Sequence, residues 1–167
     1  MRGPTPWLLA AILAPVARPC DPPPAGQVEL VRTGRTAGDD YGAGVGISGT
    51  TAAIGSPHAN DAAPDSGAVV IFRQVAGAWT EQEHVTMAGR SRGFGAAVAI
   101  EGATLVVGAP ETAADGSGGG SAHAFDHDGS TWIEHALLPS SEAGARIGSA
   151  VALDGDRLVV GADSLDA

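Results

Sequence analysis

The stretch Gly93–Pro110, "GFGAAVAIEGATLVVGAP", is apolar, carries one charge at Glu101, and is punctuated by glycines ahead of a closing proline. Its meaning comes from its copies. "YGAGVGISGTTAAIGSP" from Tyr41, "FGAAVAIEGATLVVGAP" from Phe94 and "IGSAVALDGDRLVVGAD" from Ile147 start 53 residues apart at both steps. The first two agree at 8 of 17 positions and the last two at 10 of 17, far above chance. The period reaches beyond the motif, because Phe72 and Phe125, Trp79 and Trp132, and Glu81 and Glu134 keep the same interval. A fixed period of this length marks one structural unit repeated along the chain.

Inside a unit the periodicity is that of strands. Phe94, Ala96, Val98 and Ile100 share one face of an extended chain and Gly95, Ala97 and Ala99 the other, so a strand is predicted to begin at Phe94. "TLVVGAP" then reads as a second strand, stopped by Gly108 and Pro110. After a glycine-rich loop, "SAHAFD" reads as a third strand, "HDGS" as a turn and "TWIEHALL" as a fourth. Four short antiparallel strands in one repeat, with no helical period, describe a blade of a β-propeller. The expected fold is all-β: a partial propeller of about two complete four-stranded blades and a fragment.

Phe94-Gly95 and Gly108-Ala109-Pro110, recurring in register, give the repeat its resemblance to the FG-GAP repeat of integrin alpha-subunit propellers and of secreted bacterial proteins. The resemblance runs from Gln27 to the end of the chain. It implies that the aromatic-glycine pair opens the innermost strand and that Gly-Ala-Pro closes the next. Tyr41-Gly42 with Gly55-Ser56-Pro57 is then the first copy. In the third, Gly148 and Gly161 hold their places, but Ile147 replaces the aromatic and Asp163 the proline. The segment "QVELVRT", Gln27 to Thr33, fits a fourth-strand position by spacing and could complete the last blade of a closed ring.

Many blades of this type bind calcium in a carboxylate-rich loop between their first two strands, and clustered oxygen ligands are what a hard cation needs. Here those connections are Ser48-Gly49-Thr50, Glu101-Gly102-Ala103 and Asp154-Gly155-Asp156. They offer two carboxylates at most, so they read as glycine hairpin turns, and no metal or other cofactor is expected. Asp61 and Asp65 make a better acidic loop, but Ala114 and Gly118 stand there in the next repeat. Gly44-x-Gly46-x-x-Gly49 matches the dinucleotide fingerprint, which needs a helix after the glycines. A strand follows instead, and small residues at alternate positions suit close packing between neighbouring blades. His123 and His127 stand about 13 Å apart along a strand, too far to share an ion, and are expected on the surface. A Ser-His-acid set can be imagined, yet G-x-S-x-G does not occur, so no catalytic residue is assigned. Trp79 and Trp132 are read as repeated packing residues.

Nine Lys and Arg against 19 Asp and Glu give a net charge of −10, which disfavours nucleic acid and anionic membrane surfaces as partners. Hydrophobic residues make up 44% but aromatics only 4%, so the core is expected to consist of Val, Ala, Leu and Ile. Arg2 and the short apolar run Trp7–Val16 suit a signal peptide over residues 1–19 rather than a membrane span. Cys20, the lone cysteine, opens the proline-rich tether 20–26 and is the candidate for lipidation, the only membrane attachment expected. The repeat region is then 27–167. Propellers close with about four to eight blades, so a truncated ring, an open stack or self-association through bare blade faces is expected. The function expected is a non-catalytic, secreted or cell-envelope module that binds a protein or glycan partner. The alternatives are an accessory domain of a secreted hydrolase, or a decayed fragment.

Overall fold

In the computed structural model, residues 27–87, 92–111 and 118–164 are described. Among them there are ten strands and no helix. The first sheet holds β1 (Val45–Ser48), β2 (Thr51–Ser56), β3 (Ala68–Val75) and β4 (Ala78–Val85), antiparallel and in chain order. The second repeats it with β5 (Ala97–Glu101), β6 (Thr104–Ala109), β7 (Ser121–His127) and β8 (Trp132–Pro139). The third is the hairpin of β9 (Ile147–Asp154) and β10 (Arg157–Ala162). Two four-stranded blades and the first half of another are what the repeat pattern predicts.

The hairpins between first and second strands turn on Gly49, Gly102 and Gly155, with Ser48 paired to Thr51, Glu101 to Thr104 and Asp154 to Arg157. A β-bulge repeats as well. It falls between Ile71 and Phe72 in the first blade, where Gln82 is the extra residue of β4. In the second blade it falls between Ala124 and Phe125, where His135 is the extra residue of β8.

In the first two copies the aromatic-glycine pair does not open a strand, contrary to the alternation, whereas β9 of the third copy begins at Ile147. Ala43 N–H donates to Asp40 O, Ala96 to Gly93 O and Ser149 to Arg146 O, so each pair is the centre of a tight turn. Gly95 has φ +99°, which a type II turn requires at that position, and β5 starts only at Ala97. The alternation read from sequence is real from Val98 onward, where Val98 and Ile100 are buried.

The second blade is apolar on both faces because it is sandwiched between the first blade and the third hairpin. Ala53, Val69, Ile71 and Val85 of the first blade meet Phe94, Val98, Ile100, Leu105, Val107 and Phe125 of the second. On the far face of the second, Val106, Ala122 and Ala124 meet Val151, Leu153, Leu158 and Val160. Val, Ala, Leu and Ile dominate as expected, but Tyr41 and all three phenylalanines, Phe72, Phe94 and Phe125, are also buried. At about 1.5–3 kcal/mol for each fully buried Val, Leu or Phe side chain, these layers are the main source of stability.

The near face of the first blade is covered by residues from the segment before it. Leu30, 3% exposed, joins Tyr41, Ala52, Ile54, Val70 and Phe72, with Trp79 packed against them. Gln27–Thr33 forms no strand, so its fourth-strand role is limited to its place: a strap over the first blade, in the repeat register of β4 over the second.

Candidate binding site at the blade rim

The motif residues are interlocks between blades. Gly95 N–H donates to Gly108 O within the second blade, while Phe94 forms a parallel bridge with Gly67 of the first. Ile147 bridges Gly120 in the same way, so the third copy keeps the interlock without its aromatic ring. A Cβ on Gly55 would lie 1.9 Å from Gly95 O, and one on Gly108 would lie 1.9 Å from Gly148 O. Gly42 N–H donates to Gly55 O, and Pro57, Ala109 and Pro110 are buried where second strands end. Gly161 meets only Ala150 of its own hairpin. Asp163, in the proline's place, accepts from Arg146 Nε at 2.9 Å. Cys20 lies outside the described residues.

Gly44 and Gly46 also serve packing. Cβ atoms there would meet Val98 and Ile100, and the run continues as β1 rather than a helix, so the dinucleotide context is missing. The hairpin turns are tied blade to blade. Gly102 N–H donates to Ser48 Oγ at 2.9 Å, and Gly155 N–H donates to Glu101 Oε2 at 2.8 Å. Among the described residues no group of three His, Cys, Asp or Glu is disposed to hold a metal ion.

His123 corrects the expectation of a surface histidine. It is 3% exposed, with Nε2 2.9 Å from Ser121 Oγ, Nδ1 2.8 Å from Glu134 Oε1, and its ring edge-on to Phe94. These are the components of a Ser-His-acid set, but Ser121 is 0% exposed and sealed in the joint between blades. A nucleophile must reach its substrate, so this chain of hydrogen bonds is structural. Spacing along one strand could not show it, because Glu134 comes from the neighbouring strand.

A second polar chain fastens the strap. Arg32, buried, pairs with Asp61; His84 lies between Asp61 Oδ2 at 2.7 Å and Glu81 Oε1 at 2.9 Å; Thr33 N–H donates to Glu81 Oε2 at 2.8 Å. Burial pushes the carboxyls of Asp61 and Glu81 up, but hydrogen bonds outweigh it, from Arg32 and His84 on Asp61 and from Thr33 and His84 on Glu81, and both end below their ordinary values. Burial, with the nearby charge of Glu81, holds the Tyr41 hydroxyl far above the usual phenol range. Arg32 Nη1 and Tyr41 Oη are buried without a hydrogen-bond partner among the described residues.

The accessible feature is a cleft of about 420 Å³ at the rim of the joint between the two complete blades. Ile71, Arg73, Gln82 and Glu83 line it from the first blade, and His127, Ser130 and Trp132 from the second. Trp132 packs on the interblade core and its ring meets His127 edge-on at 5.1 Å, so the indole is both a packing residue and a wall of the cleft. Asp128 braces the turn beside it, accepting from Ser130 N–H at 2.8 Å and Thr131 N–H at 2.9 Å. Those backbone donors, Thr131 first, hold its carboxyl down to about 2. Thr131 Oγ1 donates to Glu83 across the joint.

Single-strand patterns gave no signal for Arg73 or Glu83 and read His127 only as a surface residue, because the first two come from one repeat and His127 from the next. The available signal was the 53-residue offset that sets Glu83 against Leu30, an acid where the other joint has an apolar residue.

Comparison with curated proteins finds no match. The FG-GAP repeat family matches residues 26–72 and 79–125, each match running from a fourth-strand position into the third strand of the following blade. With more than half of its residues matched in this register, the chain belongs to the FG-GAP repeat family.

Proposed function

We propose that this protein is a non-catalytic, extracytoplasmic binding module, an adhesion-type domain that engages a protein or glycan partner at the blade rim. The observation that carries the reading is the interblade cleft. Its volume lies within the range of about 300–1,000 Å³ usual for ligand sites, and it combines an aromatic wall with a few convergent polar groups. The buried hydroxyl of Ser121 supports a non-catalytic reading, since acyl transfer there has no path for substrate. Membership of the family supports a propeller-type module, and fold alone goes no further.

The test is binding of the full-length protein to arrays of extracellular proteins and glycans, alongside Ala103→Trp, whose new ring fills the cleft mouth. Saturable binding that Ala103→Trp removes is the expected result. Ligands retained fully by Ala103→Trp, or hydrolytic turnover of a bound ligand, would contradict it. Export is tested by fractionation. Full-length protein confined to the cytosol would exclude an envelope role, and membrane association unchanged in Cys20→Ser would exclude a lipid anchor on Cys20.

A further inference from the structure

Resting on that reading of the chain as a binding module, we infer that the rim cleft is a saccharide subsite. One pyranose ring lies against the Trp132 indole, with its hydroxyls held by Glu83, Arg73 and Gln82.

The first blade has a joint on each side, with the strap at one and the second blade at the other. In repeat register Leu30 stands to Trp79 as Glu83 stands to Trp132. At the strap, Leu30 and Trp79 belong to one apolar cluster. At the other joint the equivalent position is a carboxylate lining a cleft, where Thr131 Oγ1 donates to Oε1 and Oε2 makes no hydrogen bond among the described residues.

The bulge in β4 changes which residues share a face. Consecutive residues of a regular strand point to opposite sides, yet Gln82 and Glu83 both line the cleft because Gln82 is the extra residue of the bulge. Gln82 and Glu83 thereby line one side, with Arg73 on the adjacent strand; the Gln82 amide nitrogen donates to Thr80 O and Glu81 O and leaves the amide oxygen as its acceptor.

The chemistry selects the ligand. Arg73 donates, and so does His127 Nε2, because His127 Nδ1 accepts from Gly129 N–H; Glu83 accepts, as do Ser130 Oγ, whose proton goes to Asp128, and the Gln82 amide oxygen, so the cleft offers both donors and acceptors to hydroxyl groups that themselves donate and accept. The apolar face of a sugar ring suits an indole held rigid by His127 and by the core beneath it. A phosphate would meet Glu83 and a chain of net charge −10, and a divalent cation would meet the Arg73 guanidinium. A neutral ligand avoids both conflicts.

The experiment is a titration of the isotope-labelled full chain, read at the indole N–H signals. The probes are methyl glucopyranoside, methyl galactopyranoside, methyl mannopyranoside, N-acetylglucosamine and, separately, inorganic phosphate. With at least one sugar the Trp132 signal should move saturably, at about millimolar affinity, while Trp79 stays still. Glu83→Gln and Arg73→Ala should each weaken that binding about tenfold or more. These exposed or half-exposed positions avoid the folding risk of Trp132→Ala. A Trp132 signal that no sugar moves, that only phosphate moves, or that still responds to sugar in Ala103→Trp overturns the inference. If no sugar binds while an arrayed protein is still captured in a way that Ala103→Trp blocks, the saccharide subsite falls and the binding module stands. If nothing is captured at all, both fall.

Discussion

Gly108 has no room for a methyl group, because a Cβ there would stand 1.9 Å from a backbone oxygen of the next blade that cannot swing aside. Gly108→Ala should therefore cost at least about 3 kcal/mol, the upper end for single substitutions. Gly102→Ala, a positive-φ turn position with open space around it, should cost only about 1–2 kcal/mol. Urea melts of the two variants check the contrast. His123 offers a second test at this scale, since the first blade carries Ala68 and Val70 where the second has Ser121 and His123. His123→Val alone strands the buried Ser121 hydroxyl at about 1–3 kcal/mol. Adding Ser121→Ala removes both partners, and the double variant should be more stable than the single. A double variant no better than the single would mean that the hydrogen bond is not what matters there. The motif glycines were legible in the sequence as a pattern, but their role was not. Alternation put Phe94 and Gly95 in a strand, whereas the turn at Gly95 depends on backbone of the preceding blade that no local window contains.

At the scale of elements, the strap Gln27–Thr33 is held by one apolar anchor and one polar chain. Leu30→Ala should cost about 2–5 kcal/mol, as buried Leu truncations do, and should expose the protein to cleavage near residue 30 under native conditions. Acid should release the polar fastening. Asp61 and Glu81 have folded values below their ordinary 3.8 and 4.5, so their stabilisation is fully present above those values and is lost as pH falls through the lowered ones. Melting temperature should hold from neutrality down to about pH 5 and then fall, and Asp61→Asn should flatten part of that fall. A fall that begins at neutral pH would assign it to another group. The strap's place was legible from the 53-residue spacing alone. That it is not a strand was not legible, because among the described residues no partner edge completes its ladder, and packing by Leu30 does not require one.

Across the whole molecule, the stack leaves apolar side chains exposed at its ends, with Val159 67%, Ile47 54% and Val45 52% exposed. Contact between copies at these faces should make the melting temperature rise with protein concentration. EDTA should leave it unchanged, since Ser48 and Glu101 tie the hairpin turns through Gly102 and Gly155. A melt that ignores concentration and drops with chelator would reverse both expectations. Blade number, strand order and the family were legible because a repeat states the same pattern more than once. The cleft was not, because its walls are contributed by two repeats and a bulge that sequence does not announce. Successive blades interlock through the paired motif glycines. Nuclear Overhauser contacts test it most directly. Cross-peaks between the α-protons of Gly55 and Gly95, and between those of Gly108 and Gly148, are predicted. Strong strand-to-strand cross-peaks within each blade, with both glycine pairs silent, would contradict it.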